Sequence, residues 1–176
     1  MENFDSNSGK LKLDKQSLKT LFVDQLNVVC CAKHNLIKNI PGLIDLPSFI
    51  DLKYAFEESM ESSERQIKRL QEIFGHIKEE VSEERCQGMK AIINEAFCAI
   101  ETTQEKSVTR DLAMIFYAKI IEHIEIVSYR MLISIAATLE YTEIKNLLKE
   151  SLDESKENDK LFMMIAREYG LEMTPG

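Results

Sequence analysis

Between Arg110 and Thr138 the chain carries apolar side chains around most of a helix circumference: Leu112, Met114, Ile115, Phe116, Ile120, Ile121, Ile124, Val127, Leu132, Ile133 and Ile135. A helix with so little polar surface has to be shielded on most sides, which places it inside a bundle of helices. Two carboxylates interrupt it. On the 3.6-residue period Ile115, Ala118, Glu122, Glu125, Tyr129, Leu132 and Ala136 share one stripe, whereas Lys119, His123 and Arg130 gather on another. If the basic stripe faces water, Glu122 and Glu125 point inward, at the depth where an unpaired charge costs most. A metal ion, a protonated carboxyl, a Lys partner or a water-filled cavity would each answer that cost.

The rest of the chain supplies the other helices. A first helical pattern begins at Ser17 and runs through Leu18, Leu21, Phe22, Leu26, Val29, Ala32, Leu36, Ile37 and Ile40, and Pro41-Gly42 ends it. Asp45-Leu46-Pro47-Ser48 then offers a start signal for a long second helix, from Leu52 to Val81. Its apolar stripe contains Ser59, Ser62 and Gln66. A connection this short makes the two helices an antiparallel hairpin. Leu139 to Thr142 is a tight break, and a last helix runs from about Glu143 to Tyr169. Ser155 and Asp159 sit in the middle of its apolar stripe, and Gly170 stands at its C-terminus.

Glu83 to Ser107 is of another kind. A short amphipathic pattern at Met89, Ile92, Ile93, Ala96, Phe97 and Ile100 is followed by polar residues from Glu101 to Ser107. A twelve-residue helix of about 18 Å and about eleven extended residues of roughly 36 Å together match the ~45 Å of a thirty-residue helix. The segment can therefore run the length of the bundle. Two helical hairpins joined by one long crossover is the connectivity of ferritin-like bundles, which place dinuclear metal sites where core carboxylates meet at mid-depth. The expectation is an all-α, ferritin-like four-helix bundle over residues 16–170, with flexible tails at 1–15 and 171–176.

Composition narrows the function. Six Gly, three Pro and no Trp leave little turn punctuation for a many-stranded fold. A net charge of −8 with no basic cluster argues against nucleic acid. The longest apolar runs, such as Met131 to Leu139, fall far short of the ~18 residues of a membrane span, and Glu2 and Asp5 break any signal-peptide pattern. A cytoplasmic protein is expected. Cys30 and Cys31 are adjacent, Cys86 and Cys98 stand apart, and with no C-x-x-C spacing all four read as reduced thiols. His34 and His76 are not expected to ligate a metal. His123 belongs with Lys119 and Arg130, and Tyr129 is placed to donate to Glu125.

Several segments carry a family resemblance. They are Leu21-Phe22 with Leu36 and Pro41, Leu52-Lys53-x-Ala55-Phe56 with Gln66-Ile67-x-Arg69-Leu70, and Cys86 with Met89. Ile121-Glu122-His123-Ile124-Glu125-Ile126-x-x-Tyr129 is the strongest, and Leu147-Leu148 through Lys156 and Asp159 continue it. In their order and spacing these resemble the YciE/YciF-type, ferritin-like stress-associated proteins of bacteria over roughly Ser17 to Ala166. The resemblance implies a four-helix bundle of the rubrerythrin type, often dimeric, with carboxylates around a possible metal site. It implies metal-site positions at Glu122, Glu125, Gln66 and Asp159. It also implies losses: Lys33 stands where a Glu is typical, Ser59 where a His is usual, Ser62 where a Glu is usual and Ser155 where an acid is common.

These losses agree with the residues themselves. A di-iron bundle site takes a Glu from each of two helices and Glu-x-x-His from each of the others, and no Glu-x-x-His occurs in this chain. Lys33 is expected to put an ammonium against Glu122 or Glu125 in place of a metal. Three functions remain in view. The first is a non-catalytic ferritin-like bundle, a homodimer with a degenerate dimetal site and no cofactor, acting in stress through its surface or stability. The second is a weak iron- or manganese-binding oxidase or store. The third is a carrier of an apolar ligand. No nucleophile–base pair, phosphate loop or zinc site suggests an enzyme of another kind.

Overall fold

The computed structural model describes residues 14–82, 86–102 and 108–171. Residues 1–13 and 172–176 of the expected tails, and most of the polar stretch before Ser107, lie outside these residues, whereas Asp14 and Lys15, expected in the tail, open the first helix. Those described are helical: α1 (Lys15–Asn39), a 3-10 turn (Ile40–Gly42), α2 (Ile50–Ile77), α3 (Gln87–Glu101), α4 (Val108–Thr138) and α5 (Thr142–Glu168). Among them no helix is long and apolar enough to cross a membrane.

Local chemistry sets the ends. Asp14 caps α1 by accepting from the Ser17 amide at 2.8 Å, so the helix begins two residues before Ser17. The second helix starts later than Pro47 suggests, because Phe49 is its extended N-cap residue. It stops at Ile77, where Lys78 turns left-handed, so Val81 lies beyond it. Glu140, with φ of 64°, makes the tight break between α4 and α5, and Gly170, with φ of 80°, ends α5.

The four long helices form a ring in which α1 packs on α2 and α4, and α5 packs on α2 and α4. Two apolar clusters show their directions. Leu18 to Cys30 of α1 meets Leu70 to Ile77, Ile126 to Ala136 and Ile144 to Leu152 at one end. Leu36 and Ile40 meet Leu52 to Phe56, Met114 to Ile121 and Phe162 to Ala166 at the other. Every neighbouring pair in the ring is therefore antiparallel. Because α2 ends in the first cluster and α4 begins in the second, the connection between them has to traverse the bundle, which its length allows. Helix α3 lies in that connection and covers α1 and α4 with Met89, Ile93, Ala96 and Ile100.

The four cysteines are not all reduced thiols, as their spacing had suggested. Cys31, midway along α1, and Cys86, at the N-cap of α3, are joined by a disulfide with their Cα atoms 6.1 Å apart. The two are 55 residues apart in sequence, and only the returning crossover brings them together. Cys30 and Cys98 keep their thiols. Helix α4 is also less enclosed within one chain than its composition demands. Val108, Phe116, Val127 and Met131 are each more than half exposed along its outer side.

Candidate functional site: a buried polar layer

Between the two apolar clusters lies a layer of buried polar side chains: Lys33 from α1, Ser59, Ser62, Ser63 and Gln66 from α2, Glu122 and Glu125 from α4, and Ser151, Ser155 and Asn158 from α5. Each lies on the inward stripe of its helix, so the helical period that builds the apolar ends also gathers the polar groups between them.

Lys33 is 1% exposed, and its Nζ lies 2.5 Å from Glu125 Oε2. It also donates to Ser63 Oγ at 3.2 Å, and Ser155 Oγ donates to the same carboxylate oxygen at 3.2 Å. Of the two partners that the sequence left open for Lys33, the direct contact is with Glu125. Among the described residues no ammonium is in contact with Glu122. Its Oε1 accepts from Asn158 Nδ2 at 3.2 Å and from Ser59 Oγ at 3.4 Å. Burial, and then the neighbouring charge of Glu125, push the Glu122 carboxyl up from the usual 4.5 to about 8, against the opposing pull of Lys33. At neutral pH Glu122 is therefore a neutral acid. Glu122 Oε2 and Glu125 Oε1 are buried with no hydrogen-bond partner. With Glu122 protonated, these two oxygens, one turn apart on α4, are one donor and one acceptor.

Gln66 and Tyr129 form the edge of the layer toward the first apolar cluster. Tyr129 was expected to donate to Glu125; its hydroxyl donates instead to Gln66 Oε1 at 3.0 Å, and Gln66 Nε2 reaches the Ser151 carbonyl at 3.3 Å. The phenol spans from α4 to α2 across the bundle and passes beyond its own helical neighbour. Burial and the charges of Glu125 and Glu122 raise its pKa well above the usual value, so it stays a donor.

Asp159 is not part of this constellation. Its carboxylate lies 2.5 Å from Lys119 Nζ and 3.1 Å from His123 Nε2, toward the outer side of α4 and α5. Asn158 occupies the inward position and was missed. The signal was present, because 158 falls one turn after Ser155 and one turn before Phe162 on the inward stripe. Ser63, which also went unnoticed, is beside Ser62 on the same argument.

Glu122 makes a pH-dependent prediction. A carboxyl with a higher pKa in the folded chain than in the unfolded one binds its proton more tightly when folded, so stability is full below about 4.5 and falls as pH rises toward 8. Glu122→Gln, which is neutral at every pH, is expected to flatten that fall. In urea titrations from pH 5 to pH 8 the variant should gain on the parent steadily; parallel curves would mean that Glu122 is not held protonated.

All this defines a class of protein: an antiparallel helical bundle with a long crossover and a buried layer of acids, ammonium and hydroxyls at mid-depth. The chain belongs to the family described as a domain of unknown function, DUF892, which matches residues 17–172. It is 31% identical to YciF of Escherichia coli over 148 residues, covering 84% of this chain and 89% of that protein. The crystal structure of the E. coli stress protein YciF superposes with a TM-score of 0.79 at 29% identity, over 85% of this chain and 94% of that one. YcfI of Rhodopseudomonas palustris, to which a structural role has been ascribed, superposes with a TM-score of 0.78 at 26% identity, over 87% and 97%.

Proposed function

We propose that this chain is a non-catalytic, stress-associated, ferritin-like bundle that works as a homodimer, and that its polar layer is the remnant of a dimetal centre. The observation that carries the reading is the buried Lys33 ammonium 2.5 Å from Glu125. The donor set supports it. Two divalent ions bring a charge of about +4, whereas the layer has two carboxylates, one held by an ammonium, and otherwise neutral Ser, Asn and Gln. These residues do not fit a pair of metal ions, and the proton on Glu122 and the charge on Lys33 do the neutralising. The association with stress rests on the similarity to YciF.

The second reading, a weak iron or manganese protein, has one observation in its favour: Glu122 Oε2 and Glu125 Oε1 lack protein partners. Elemental analysis separates the two. Protein purified without chelator, then incubated anaerobically with ferrous or manganous ions and desalted, is expected to retain no stoichiometric metal. Stoichiometric metal that is lost in Glu122→Ala would overturn the remnant reading.

A second copy of the chain is the partner that the outer side of α4 suits. Phe116, Val127, Met131 and Val108 are 55% to 61% exposed. Together they leave on the order of a few hundred Å² of apolar side chain open on one helix, the size of patch that marks an interaction site. With their half-buried neighbours they approach the ~800 Å² per partner of a standard interface. An α4 stripe that meets its own copy antiparallel closes with two-fold symmetry. Sedimentation should find a dimer that Phe116→Glu splits; a monomeric parent chain at micromolar concentration would end this part of the proposal.

A further inference from the structure

Helix α3 is held to the bundle differently from the other helices. It has one narrow buried face, Met89, Ile93, Ala96 and Ile100, and its N-terminal end is bonded to the middle of α1 through Cys86 and Cys31. Under α3 lies a small cavity of about 40 Å³, bordered by Leu36, Ile93, Ala96, Ile100 and Tyr117, that reaches Ser59 and Glu122. The bond therefore clasps the cover of the route to the polar layer. Both sulfurs are buried, Cys31 at 1% and Cys86 at 2% exposure, so a reductant reaches them only when the N-terminal turn of α3 lifts. Asn35 Nδ2 lies 3.6 Å from Cys31 Sγ. An N–H aimed at that sulfur favours the thiolate over the thiol.

We propose that Cys31 and Cys86 form a reversible redox-modification site for dithiol reductants, with Cys86 as the sulfur attacked and Cys31 as the leaving thiolate. A thiolate of the dithiol attacks Cys86 Sγ, the S–S bond breaks, and its electron pair passes to Cys31 Sγ, which Asn35 stabilises. The second thiol of the reductant attacks the mixed disulfide. It releases Cys86 and leaves as part of a cyclic disulfide, so two electrons move from the dithiol to the protein and a proton ends on each cysteine. Reduction frees the N-terminal end of α3 from α1 and uncovers the cavity beside Glu122. Reoxidation closes it.

The test uses the full chain with dithiothreitol as the probe. Alkylation followed by mass spectrometry is expected to label the exposed Cys98 at once, and Cys31 and Cys86 only after reduction. Tryptic cleavage after Lys90, within α3, should accelerate about tenfold on reduction, because proteolysis follows the population of the open form. It should return to the slow rate on reoxidation, while the helical circular dichroism of α1, α2, α4 and α5 persists. Asn35→Ala should slow reduction several-fold with the oxidised form melting as before. Cys86→Ser should be cleaved at the fast rate with or without reductant; if it fails to fold, the reduced parent chain gives the same comparison. Alkylation of Cys31 and Cys86 without reductant, or cleavage at Lys90 that ignores reduction, would overturn the proposal.

Discussion

Lys33→Ala is expected to lower the unfolding free energy by roughly 3–5 kcal/mol, the usual cost of removing one partner from a buried ion pair. The loss has two sources. Glu125 keeps its negative charge inside the bundle, and among the described residues only the Ser155 hydroxyl still donates to it. In addition, the aliphatic stem of Lys33 fills space in the layer, and its loss leaves a void. Lys33→Met separates these, because it keeps most of the volume and removes only the charge. It should cost nearly as much, because the buried carboxylate loses its counter-charge in both variants. Pairing Lys33→Met with Glu125→Gln should recover a large part of the loss, since two neutral groups of the right size are often as stable as the ion pair that they replace. Urea titration of the four proteins measures the coupling. A Lys33→Ala variant as stable as its parent would remove the central argument for an ammonium standing where a metal once did.

Asp111→Ala is expected to cost about 3–4 kcal/mol, more than a surface acid ever does, because each hydrogen bond to a charged group contributes ~1.5–3 kcal/mol. Asp111 is fully buried at the end of the bundle opposite the α4–α5 turn. It accepts from the Ser48 amide at 3.0 Å, from the Phe49 amide at 3.2 Å and from the Tyr169 hydroxyl at 2.5 Å. Phe49, the N-cap residue of α2, has no capping side chain of its own. A carboxylate from α4 does that work and also meets the positive end of the α2 dipole. One side chain thus ties the starts of α2 and α4 to the end of α5, and beside it Arg110 bonds the Leu46 carbonyl. Burial, and then the hydrogen bond to Asp111, raise the Tyr169 pKa well above its usual value. Tyr169→Phe removes only that one bond and should cost about 1 kcal/mol. Asp111→Asn, which keeps an oxygen acceptor but no charge, should fall between. Thermal melts of the three variants should keep that order; equal losses would mean that the charge of Asp111 does not matter.

Much of this molecule was legible in the chain alone, and for a local reason. Which side of a helix faces inward follows from its own residues at spacings of three and four. That reading therefore placed Glu122, Glu125, Ser59, Ser62, Gln66 and Ser155 in the interior, and the lengths of the connections paired the helices. The apolar run from Arg110 to Thr138 demanded cover, and the bundle supplies it on the side that carries the two glutamates.

What the chain could not settle was which buried group meets which. Neighbouring positions on a helix differ by about 100°, so a single step on α5 sends Asp159 outward to Lys119 and His123 while Asn158 turns inward to Glu122. Tyr129 donates across the bundle to Gln66, not to Glu125 one turn away on its own helix. Cys31 meets Cys86, and Asp111 caps a helix 62 residues earlier, only once the crossover has run its course. Faces are a property of each helix and its period. Contacts depend on the rotation and height at which separate helices pack, and no local pattern encodes these.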